Sequence, residues 1–426
     1  MNSAKNITEL KLPRSSDKWA KYKLGALAEI RSASRVHKEQ WTEYGVPFFR
    51  TSDVIAIHKG KQNNKIFISK ELFEKLSNKS GKVKKDDLLV TGGGSIGVPY
   101  LINNNEPLYF KDADLLWLSC NDMLYGPYLY QFFLAPIFRR YLAKTNHTGT
   151  ISHYTIEQAK ATPITLPSLK EQQKIAEFLT SVDKKISLLT EKHFLLKDYK
   201  KGVMQQIFSQ QIRFKDDDGS AFPEWEEKTL RSLFDWIRTN NLSREKLSDN
   251  VTALQNIHYG DIHTKYHSQF VQTRENIPYV VDAEIDKLVS QADFCKNGDI
   301  VIADASEDYA DIGKAIEIIN VKEGTLVAGL HTYIARPKNK FASGFLGYLF
   351  QFNGTRRQVQ KLAQGVSVLG ISKGNIETIK LSVPHIDEQQ KIAEFLQSLD
   401  KKIDAVNDQI EQTKLFKKGL LQQMFV

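Results

Sequence analysis

Apolar residues recur at alternating steps of four and three positions in two long stretches of the chain, residues 169–209 and residues 384–426. A stripe of this kind, held for about five heptads, predicts a long amphipathic helix that buries the stripe against a second helix. The first stripe consists of Ile175, Leu179, Val182, Ile186, Leu189, Leu196, Val203 and Ile207. The second consists of Ile392, Leu396, Leu399, Ile403, Val406, Ile410, Leu420 and Met424.

The two stretches are copies of one another. Residues 171–186 and 388–403 are identical at 14 of 16 positions, and each copy closes one half of the chain. We predict that the two helices pair antiparallel, because each can bury the stripe of the other. The alternative is that each helix packs on its own neighbouring domain. Lys200, Lys417 and His193 fall on the stripe, which suggests a seam that is interrupted or that receives another protein.

Each helix follows one domain, residues 1–168 before the first helix and residues 210–383 before the second. The sequences of these two domains differ almost throughout. The predicted fold class is α+β: two globular α/β domains separated by two long antiparallel coiled-coil helices, 169–209 and 384–426, with an internal pseudo-two-fold repeat. Each helix is about 60 Å long at 1.5 Å per residue. Since B-DNA rises about 3.4 Å per base pair, that length corresponds to about 17 base pairs. Two unlike domains on such a spacer could read two different, separated half-sites.

Composition and charge narrow the function classes. The chain is 41% hydrophobic and 26% charged, as in soluble globular proteins. It has no apolar run long enough for a membrane span and no secretory signal at its start. Its two cysteines are far apart, which favours free thiols in a reducing compartment. The net charge of +9 suits a polyanionic partner. Residues 1–168 carry the excess, whereas residues 210–386 are slightly acidic.

Three short motifs resemble cofactor-binding or catalytic signatures but lack the required context. The stretch GGGSIG (92–97) matches a dinucleotide fingerprint, but Val98 and Pro99 follow where a helix is needed. It is better explained as a turn between strands, either structural or approaching a DNA phosphate with its amides. The stretches NIPY (276–279) and DASEDYAD (304–311) are predicted loops. We therefore predict no catalytic residue and no metal site.

Several stretches together resemble one family over essentially the whole chain: the specificity subunits of type I restriction-modification enzymes. In the first half they are PFFRTSDV (47–54), KKDDLLVTGGGSIG (84–97) and TGTISHYTIEQAKATPITLP (148–167). In the second half they are KNGDIVIADAS (296–306), GVSVLGISKGNIETIKLSVP (365–384) and, as the counterpart of RTSDV, QNIHYGDI (255–262). The near-identical segments that follow each domain complete the pattern.

The resemblance implies a non-catalytic subunit with two target-recognition domains, each reading one half of a bipartite, asymmetric target in double-stranded DNA. The paired helices would fix the spacing and dock two modification subunits, which methylate adenine with S-adenosylmethionine. Restriction subunits would use ATP and magnesium, so this chain itself would bind no cofactor. The complex would serve host defence in the cytoplasm of a bacterium or archaeon, away from membranes.

Loop residues with hydrogen-bonding or basic side chains are the candidates for DNA contact. In the first domain they are Arg31, Ser32, Arg35, Arg50, Thr51, Ser52, Lys59, Lys61, Lys65, Gly93, Gly94, Ser95, Asn146, Thr148, Thr150, Ser152 and His153. In the second domain they are Arg238, Asn240, Asn241, Arg244, Gln255, Asn256, His258, Tyr259, His263, Lys265, Ser306, Gln364 and Ser367. Two other function classes stay open: a self-sufficient nuclease or methyltransferase, and a coiled-coil adaptor that binds only protein.

Overall fold

The structure is a computed structural model that describes residues 19–145, 153–289 and 293–425. The chain divides into two compact units. One comprises residues 1–190 and 408–426, and the other comprises residues 191–407. Each unit therefore contains one globular domain and about half of each long helix. Within the described ranges, no helix has an apolar stretch long enough to cross a bilayer.

The first domain is built from short strands around a buried four-stranded sheet. Its strands are β1 (Ala20–Lys23), β2 (Ala28–Arg31), β3 (Trp41–Thr42), β4 (Val46–Phe49), β5 (Phe67–Ile68), β6 (Leu88–Thr91), β7 (Pro99–Leu101), β8 (Tyr109–Phe110), β9 (Leu115–Cys120) and β10 (Pro163–Leu166). Its helices are α1 (Thr51–His58), α2 (Lys70–Ser80), α3 (Gly126–Leu134), α4 (Pro136–Thr145) and α5 (Ile156–Ala161).

Two sheets of this domain position its loops. The central antiparallel sheet has the order β2-β9-β6-β7, and the smaller sheet has the order β3-β5-β4-β8, with β4 and β8 parallel. The central sheet is buried on both faces, because Leu88 and Val90 of β6 pack towards α3 while Leu89 packs with Phe110 of β8. This arrangement explains why β6 is a continuous apolar run instead of an alternating one.

The second domain repeats this topology. After α6 (Leu169–Phe208), its strands are β11 (Glu226–Thr229), β12 (Phe234–Ile237), β13 (Leu247–Ser248), β14 (Gln255–Ile257), β15 (Gln269–Val271), β16 (Tyr279–Val280), β17 (Ile300–Ala303), β18 (Ala305–Ser306), β19 (Ala315–Asn320), β20 (Leu326–Ala328), β21 (Thr332–Pro337), β22 (Leu369–Gly370) and β23 (Lys380–Val383). Its helices are α7 (Leu230–Leu233), α8 (Tyr259–Thr264), α9 (Asp282–Val289), α10 (Phe345–Gln351), α11 (Asn353–Leu362) and α12 (Lys373–Glu377), followed by α13 (Ile386–Met424).

The sheets of the two domains correspond strand by strand. The central sheet of the second domain has the order β12-β21-β17-β19-β15, and the smaller one has the order β13-β16-β14-β20, again with its last pair parallel. In both domains the first strand pairs antiparallel with the strand that precedes the long helix, as β1-β10 and β11-β23. Beyond this correspondence the second domain has three further strands: β15, which lengthens the central sheet at the edge where the described part of the first domain ends with β7, and β18 and β22, which pair with each other.

The long helices α6 and α13 have 40 and 39 residues and share a hydrophobic core in each unit. In the unit with the first domain, the shared cluster contains Ile175, Leu179, Val182, Leu420 and Met424, with Ile186 partly buried against it. In the other unit it contains Val203, Ile207, Ile392, Leu396 and Leu399. Ile403, Val406 and Ile410 are also buried, whereas Leu189 is half-buried.

The same clusters include the adjacent domain, so the helices both pair with each other and pack on their own domains. Gln172 Oε1 accepts from the backbone N–H of Tyr125, 2.8 Å away, at the start of α3. The repeat-equivalent Gln389 Oε1 accepts from the N–H of Ala342, 3.1 Å away, just before α10. Pairing between the helices and packing on the neighbouring domain are therefore not alternatives, as the sequence analysis assumes, because both occur. Because the domains share a topology, one helix sequence can dock on either.

The lysines on the stripe do not interrupt the seam, which corrects the sequence-based interpretation. Lys417 Nζ lies 2.7 Å from Asp183, and Lys200 Nζ lies 2.6 Å from Asp400. Asp183 and Lys200 are 17 residues apart on α6, and their partners are equally far apart on α13 in the reverse order. The helices are therefore antiparallel, and each lysine is used as one half of an ion pair between them.

Candidate nucleic-acid interface

In the first domain, loops from distant parts of the sequence converge on the segment between β8 and β9. The side chain of Ser32 accepts from the N–H of Ala113 at 2.9 Å, and Arg35 Nε donates to Asp112 at 2.9 Å. Thr51 Oγ1 donates to the carbonyl of Asp114 at 3.4 Å. The converging loops (residues 32–35, 50–52, 92–95, 111–114 and 153) form what we call the loop edge of the domain.

The glycine-rich stretch belongs to the same edge. Gly92 donates its N–H to Asp114 O at 2.8 Å, and Tyr154 donates its N–H to Gly92 O at 2.8 Å, which places His153 beside the turn. Gly94 has a φ of +67° and is exposed, a backbone conformation that favours glycine. Strand β7 follows, so the stretch is a turn between strands.

The second domain builds an equivalent loop edge. Lys111 donates its N–H to β4, and Gly329 likewise donates its N–H to Ile257 of β14. Two residues further on, Ala113 and His331 both have positive φ, +61° and +56°. The equivalent loops are residues 238–241, 258–260, 304–308, 329–332 and 369–371.

A buried aspartate in the first turn of a short helix anchors one loop of each edge. In the first domain, Asp53 of α1 accepts from Arg50 Nε at 2.8 Å. In the second, Asp261 of α8 accepts from both terminal nitrogens of Arg244 at 2.8 Å. Burial opposes ionisation of Asp261, but the hydrogen bonds from Arg244 and Lys265 hold its pKa below the usual value. RTSDV and HYGDI are therefore structural counterparts, as predicted, although their arginines come from different places in the chain.

Aromatic rings dominate the second loop edge. The ring of Tyr259 stacks on His258 at a centroid distance of 4.7 Å and meets His331 edge-on at 5.3 Å and His263 at 5.9 Å. Burial, reinforced by Arg244, lowers the pKa of His258 to about 4, so its imidazole is neutral at pH 7. His331 Nδ1 lies 3.1 Å from Asp304. Such rings can contact bases by stacking as well as by hydrogen bonds.

The remaining candidates of the first domain have varied surroundings. The guanidinium of Arg31 lies over the ring of Trp117, 3.7 Å from its centroid. Ser52 accepts a hydrogen bond from Asn63. Gly93 is buried, whereas Ser95, Lys59, Lys61 and Lys65 are exposed. Four further candidates lie outside the described residues: Asn146, Thr148, Thr150 and Ser152.

Some candidates of the second domain serve its interior. Asn240 and Asn256 are buried and joined by a hydrogen bond of 2.8 Å, and Ser306 is buried against Asp308. Gln255 accepts from Gln272 at 2.7 Å, at the end of β14 away from the loop edge. Arg238, Asn241, Gln364 and Ser367 are exposed, as are Arg244 and Lys265, which both bond to Asp261 at 2.8 Å.

Sequence reasoning missed the segments on which both edges are centred, residues 111–114 and 329–331. Each follows a short strand whose parallel partner lies far earlier in the chain, 61 residues in the first domain and 71 in the second, so nothing local marks it. Alanine and histidine at positive φ give no sequence signal either. Among the described residues, no group of histidine, cysteine, aspartate and glutamate is arranged to hold a metal ion.

Comparison with known proteins gives a consistent result. The family model described as "Type I restriction modification DNA specificity domain" matches residues 16–197 and 223–414. A specificity subunit of the type I restriction enzyme MjaVIII from Methanocaldococcus jannaschii is 26% identical over 361 residues, which are 82% of this chain and 80% of that one. A putative type I specificity subunit from Haemophilus influenzae is 30% identical over 172 residues, 39% of this chain and 41% of that one.

Solved structures share the fold. The type I specificity subunit from M. genitalium covers 98% of both chains with a TM-score of 0.55 and 17% identity. A chain from a study of complex assembly and conformational transition in the type I restriction-modification system covers 95% of this chain and 97% of its own, with a TM-score of 0.59 and 13% identity. Because the same family model matches both halves and both halves share one topology, the chain belongs to the family of type I restriction-modification DNA specificity subunits.

Proposed function

We propose that each domain of this specificity subunit reads one half of a bipartite, asymmetric DNA target through its loop edge. The observation that carries the proposal is the equivalence of the two edges: five loops occupy corresponding positions in the shared topology but carry different side chains. One edge has Ala113 where the other has His331. Equal geometry with unequal chemistry is what recognition of two unlike half-sites requires.

Charge supports contact of the first edge with the phosphate backbone. Lys59, Lys61 and Lys65 are exposed around α1, and residues 1–168 have 24 basic against 15 acidic residues, a net charge of +9. Lysines of this kind supply affinity without sequence preference. The aromatic cluster around Tyr259 supplies, in the second domain, rings that can contact bases.

The long helices provide a surface for protein partners. On the half of α6 next to the second domain, Phe194, Leu195 and Tyr199 are 68%, 56% and 55% exposed. On the half of α13 next to the first domain, Leu415 and Phe416 are exposed, and Phe416 is the repeat equivalent of Tyr199. Exposed apolar groups of this size mark interaction sites.

As part of the same proposal, two modification subunits dock on these helices and methylate adenine with S-adenosylmethionine. Restriction subunits then join with ATP and magnesium, the helices fix the half-site spacing, and this chain binds no cofactor. The complex acts in the cytoplasm, where its DNA lies. A test of docking is Leu195→Ser, with Lys192→Ser on the same helix as control. Only Leu195→Ser should weaken co-purification with the modification subunits, and equal binding would contradict docking here.

Half-site reading is tested by mapping methylated sequences with the reconstituted methyltransferase complex. Replacing residues 210–383 with the corresponding domain of another specificity subunit should change one half of the methylated sequence and leave the other half intact. His331→Ala is the point variant, because the first domain already has alanine at that backbone conformation. It should relax base preference in the same half by about 10-fold, the discrimination of one contact worth about 1–2 kcal/mol.

A matched control is Glu323→Ala, an exposed residue that precedes β20, whereas His331 follows that strand. It should leave the methylated sequence unchanged. If the domain replacement altered both halves, or if His331→Ala and Glu323→Ala had the same effect, the assignment of one half-site to one loop edge would be wrong.

A further inference from the structure

An open cleft of about 660 Å³ lies in the first domain beside β7. Its floor is apolar and includes Phe49, Tyr100 and Leu108, with the rings of Phe49 and Tyr100 at a centroid distance of 5.1 Å. Lys61 and Lys65 lie at its rim. Strand β7 is the last strand of its sheet among the described residues.

The second domain shows which residues of the two sheets correspond. Ile102 exchanges backbone hydrogen bonds with Asp86 and Asp87, and Ile318 exchanges the same bonds with Gly298 and Asp299. Ile102 therefore corresponds to Ile318. By the same register, Tyr100 corresponds to Ile316 and Leu101 to Glu317.

In the second domain the equivalent position is filled by the chain itself. Strand β15 pairs in parallel with β19, and the N–H of Glu317 donates outward to Ser268 O at 2.7 Å. Phe270 of β15 is fully buried and meets the ring of Tyr266 edge-on at 5.2 Å. Ile316 beneath this cover is only 1% exposed.

The first domain lacks the residues to build such a cover. Eight residues (59–66) connect α1 to β5, whereas fourteen (265–278) connect α8 to β16 and include β15. Consequently Tyr100 is only half-buried, and Ile57 at the cleft is 47% exposed. Within ranges 19–145 and 153–168 of the first domain, the sheet edge and the apolar floor are thus retained without the strand that covers them in the second domain.

We propose that the cleft receives an extended peptide from a partner subunit, which adds a strand parallel to β7. The peptide would bond to the outward N–H of Leu101, as Ser268 does to Glu317, and insert an aromatic or large aliphatic side chain above Phe49 and Tyr100. This is β-strand addition at a sheet edge. The lining carries both signs of charge, with Lys61, Lys65 and the exposed Glu106, so the peptide is defined by its backbone and its inserted apolar side chain and not by its charge. The identity of the partner as a subunit of the complex rests on the proposed function.

A peptide fits the cleft better than an extruded nucleobase does. A sheet edge offers a row of backbone groups that another strand satisfies and a base does not. The twin domain uses a peptide strand in this very position, with an aromatic residue as its buried side chain. A nucleobase stacked on Tyr100 is the competing occupant and defines the opposite outcome of the test.

The test uses the full chain, alone and assembled with its modification subunits, first without DNA and then with a target duplex. Hydrogen–deuterium exchange is followed in residues 99–104, with residues 315–320 as the internal control already covered by β15. In addition, a photo-crosslinking benzoylphenylalanine is placed at Ile57, and at Tyr44, which is exposed but outside the cleft, as its control.

We expect exchange in residues 99–104 to slow at least 10-fold on assembly without DNA, with no change in residues 315–320. The crosslink from position 57 should join a protein segment and exceed that from position 44. Protection that requires DNA, with a crosslink to DNA, would overturn the peptide in favour of a base. Neither protection nor a crosslink, in a complex that still methylates its target, would overturn the proposal while leaving the proposed function intact.

Discussion

Reversing one charge in the helix seam tests how the two long helices select their pairing. Lys200 Nζ is 2.6 Å from Asp400 Oδ1, and the two side chains are 16% and 36% exposed. Asp400 also accepts from the hydroxyl of Tyr348 at 2.6 Å. Lys200→Asp would place two carboxylates at the seam beside a tyrosine that can serve only one of them.

The size of the effect follows from the geometry. Unit charges about 4 Å apart interact by about 4 kcal/mol at an effective dielectric constant near 20. Because Asp400 is about one-third exposed, solvent screening and side-chain entropy reduce the net value of the pair to about 1–2 kcal/mol. Since the substitution replaces attraction by repulsion, Lys200→Asp should destabilise the seam by about 2–4 kcal/mol. Asp400→Lys should cost a similar amount.

The double variant Lys200→Asp with Asp400→Lys should recover part of the loss, since it restores an ion pair but removes the acceptor of Tyr348. Native-state hydrogen exchange measures opening of each helix segment separately, so residues 191–207 report the effect. Residues 176–190, held by the equivalent pair Lys417–Asp183, are the internal control. The reasoning would be refuted if the double variant were no better protected than the single ones, or if residues 176–190 lost as much protection.

Three further outcomes are expected. Burial raises the pKa of Glu317 from its ordinary 4.5 to about 7, against the opposing N–H donors of Gly347 and Gly344. The contribution of this carboxyl to the stability of the second domain should therefore be complete below pH 4.5 and fall by about 3 kcal/mol as the pH rises from 4.5 to 7. Glu317→Gln should flatten that dependence in urea unfolding, and an unchanged slope would contradict the assignment. Trp117→Phe removes the indole donor to buried Asp87, 2.8 Å away, and should destabilise the first domain by about 1–3 kcal/mol. The control is Trp41→Phe, which should cost less because the buried indole N–H of Trp41 has no partner among the described residues. Equal losses of thermal stability in the two variants would count against the hydrogen bond. Phe425, the residue after α13, packs against Tyr128 with the ring centroids 5.0 Å apart. Phe425→Ala should cost about 3–5 kcal/mol, seen as faster exchange in α3, while unchanged exchange there would show that this ring does not support the first domain.

The sequence alone predicted the long helices closely. The predicted range 169–209 compares with the observed Leu169–Phe208, and 384–426 with Ile386–Met424. Helical periodicity repeats every few residues, so a stripe such as Ile175 to Leu189 can be read without knowing its partner. The duplication and the family resemblance were equally visible, because both are properties of the letters themselves.

The pairing partners of several polar side chains could not be predicted from the sequence. Periodicity alone makes Lys200 and Lys417 interruptions of the stripe, since the carboxylates that pair with them lie on the other helix, 200 and 234 residues away in the chain. Asn240 and Asn256 looked like surface donors, yet they bond to each other inside the second domain. In both cases a polar side chain is bonded to a residue distant in the sequence, and only the tertiary structure identifies that partner.

The sequence thus determined two amphipathic helices, two diverged domains and the family, because those features depend on local periodicity and on repetition along the chain. Only the tertiary structure decided that the diverged domains share one fold, that residues 111–114 and 329–331 are the centres of the loop edges, and that β15 covers a sheet edge left open beside β7. These features depend on pairing between strands such as β4 and β8, which lie about 60 residues apart. The energy of such pairing comes from packing and hydrogen bonds between segments with no local signal of their mutual position.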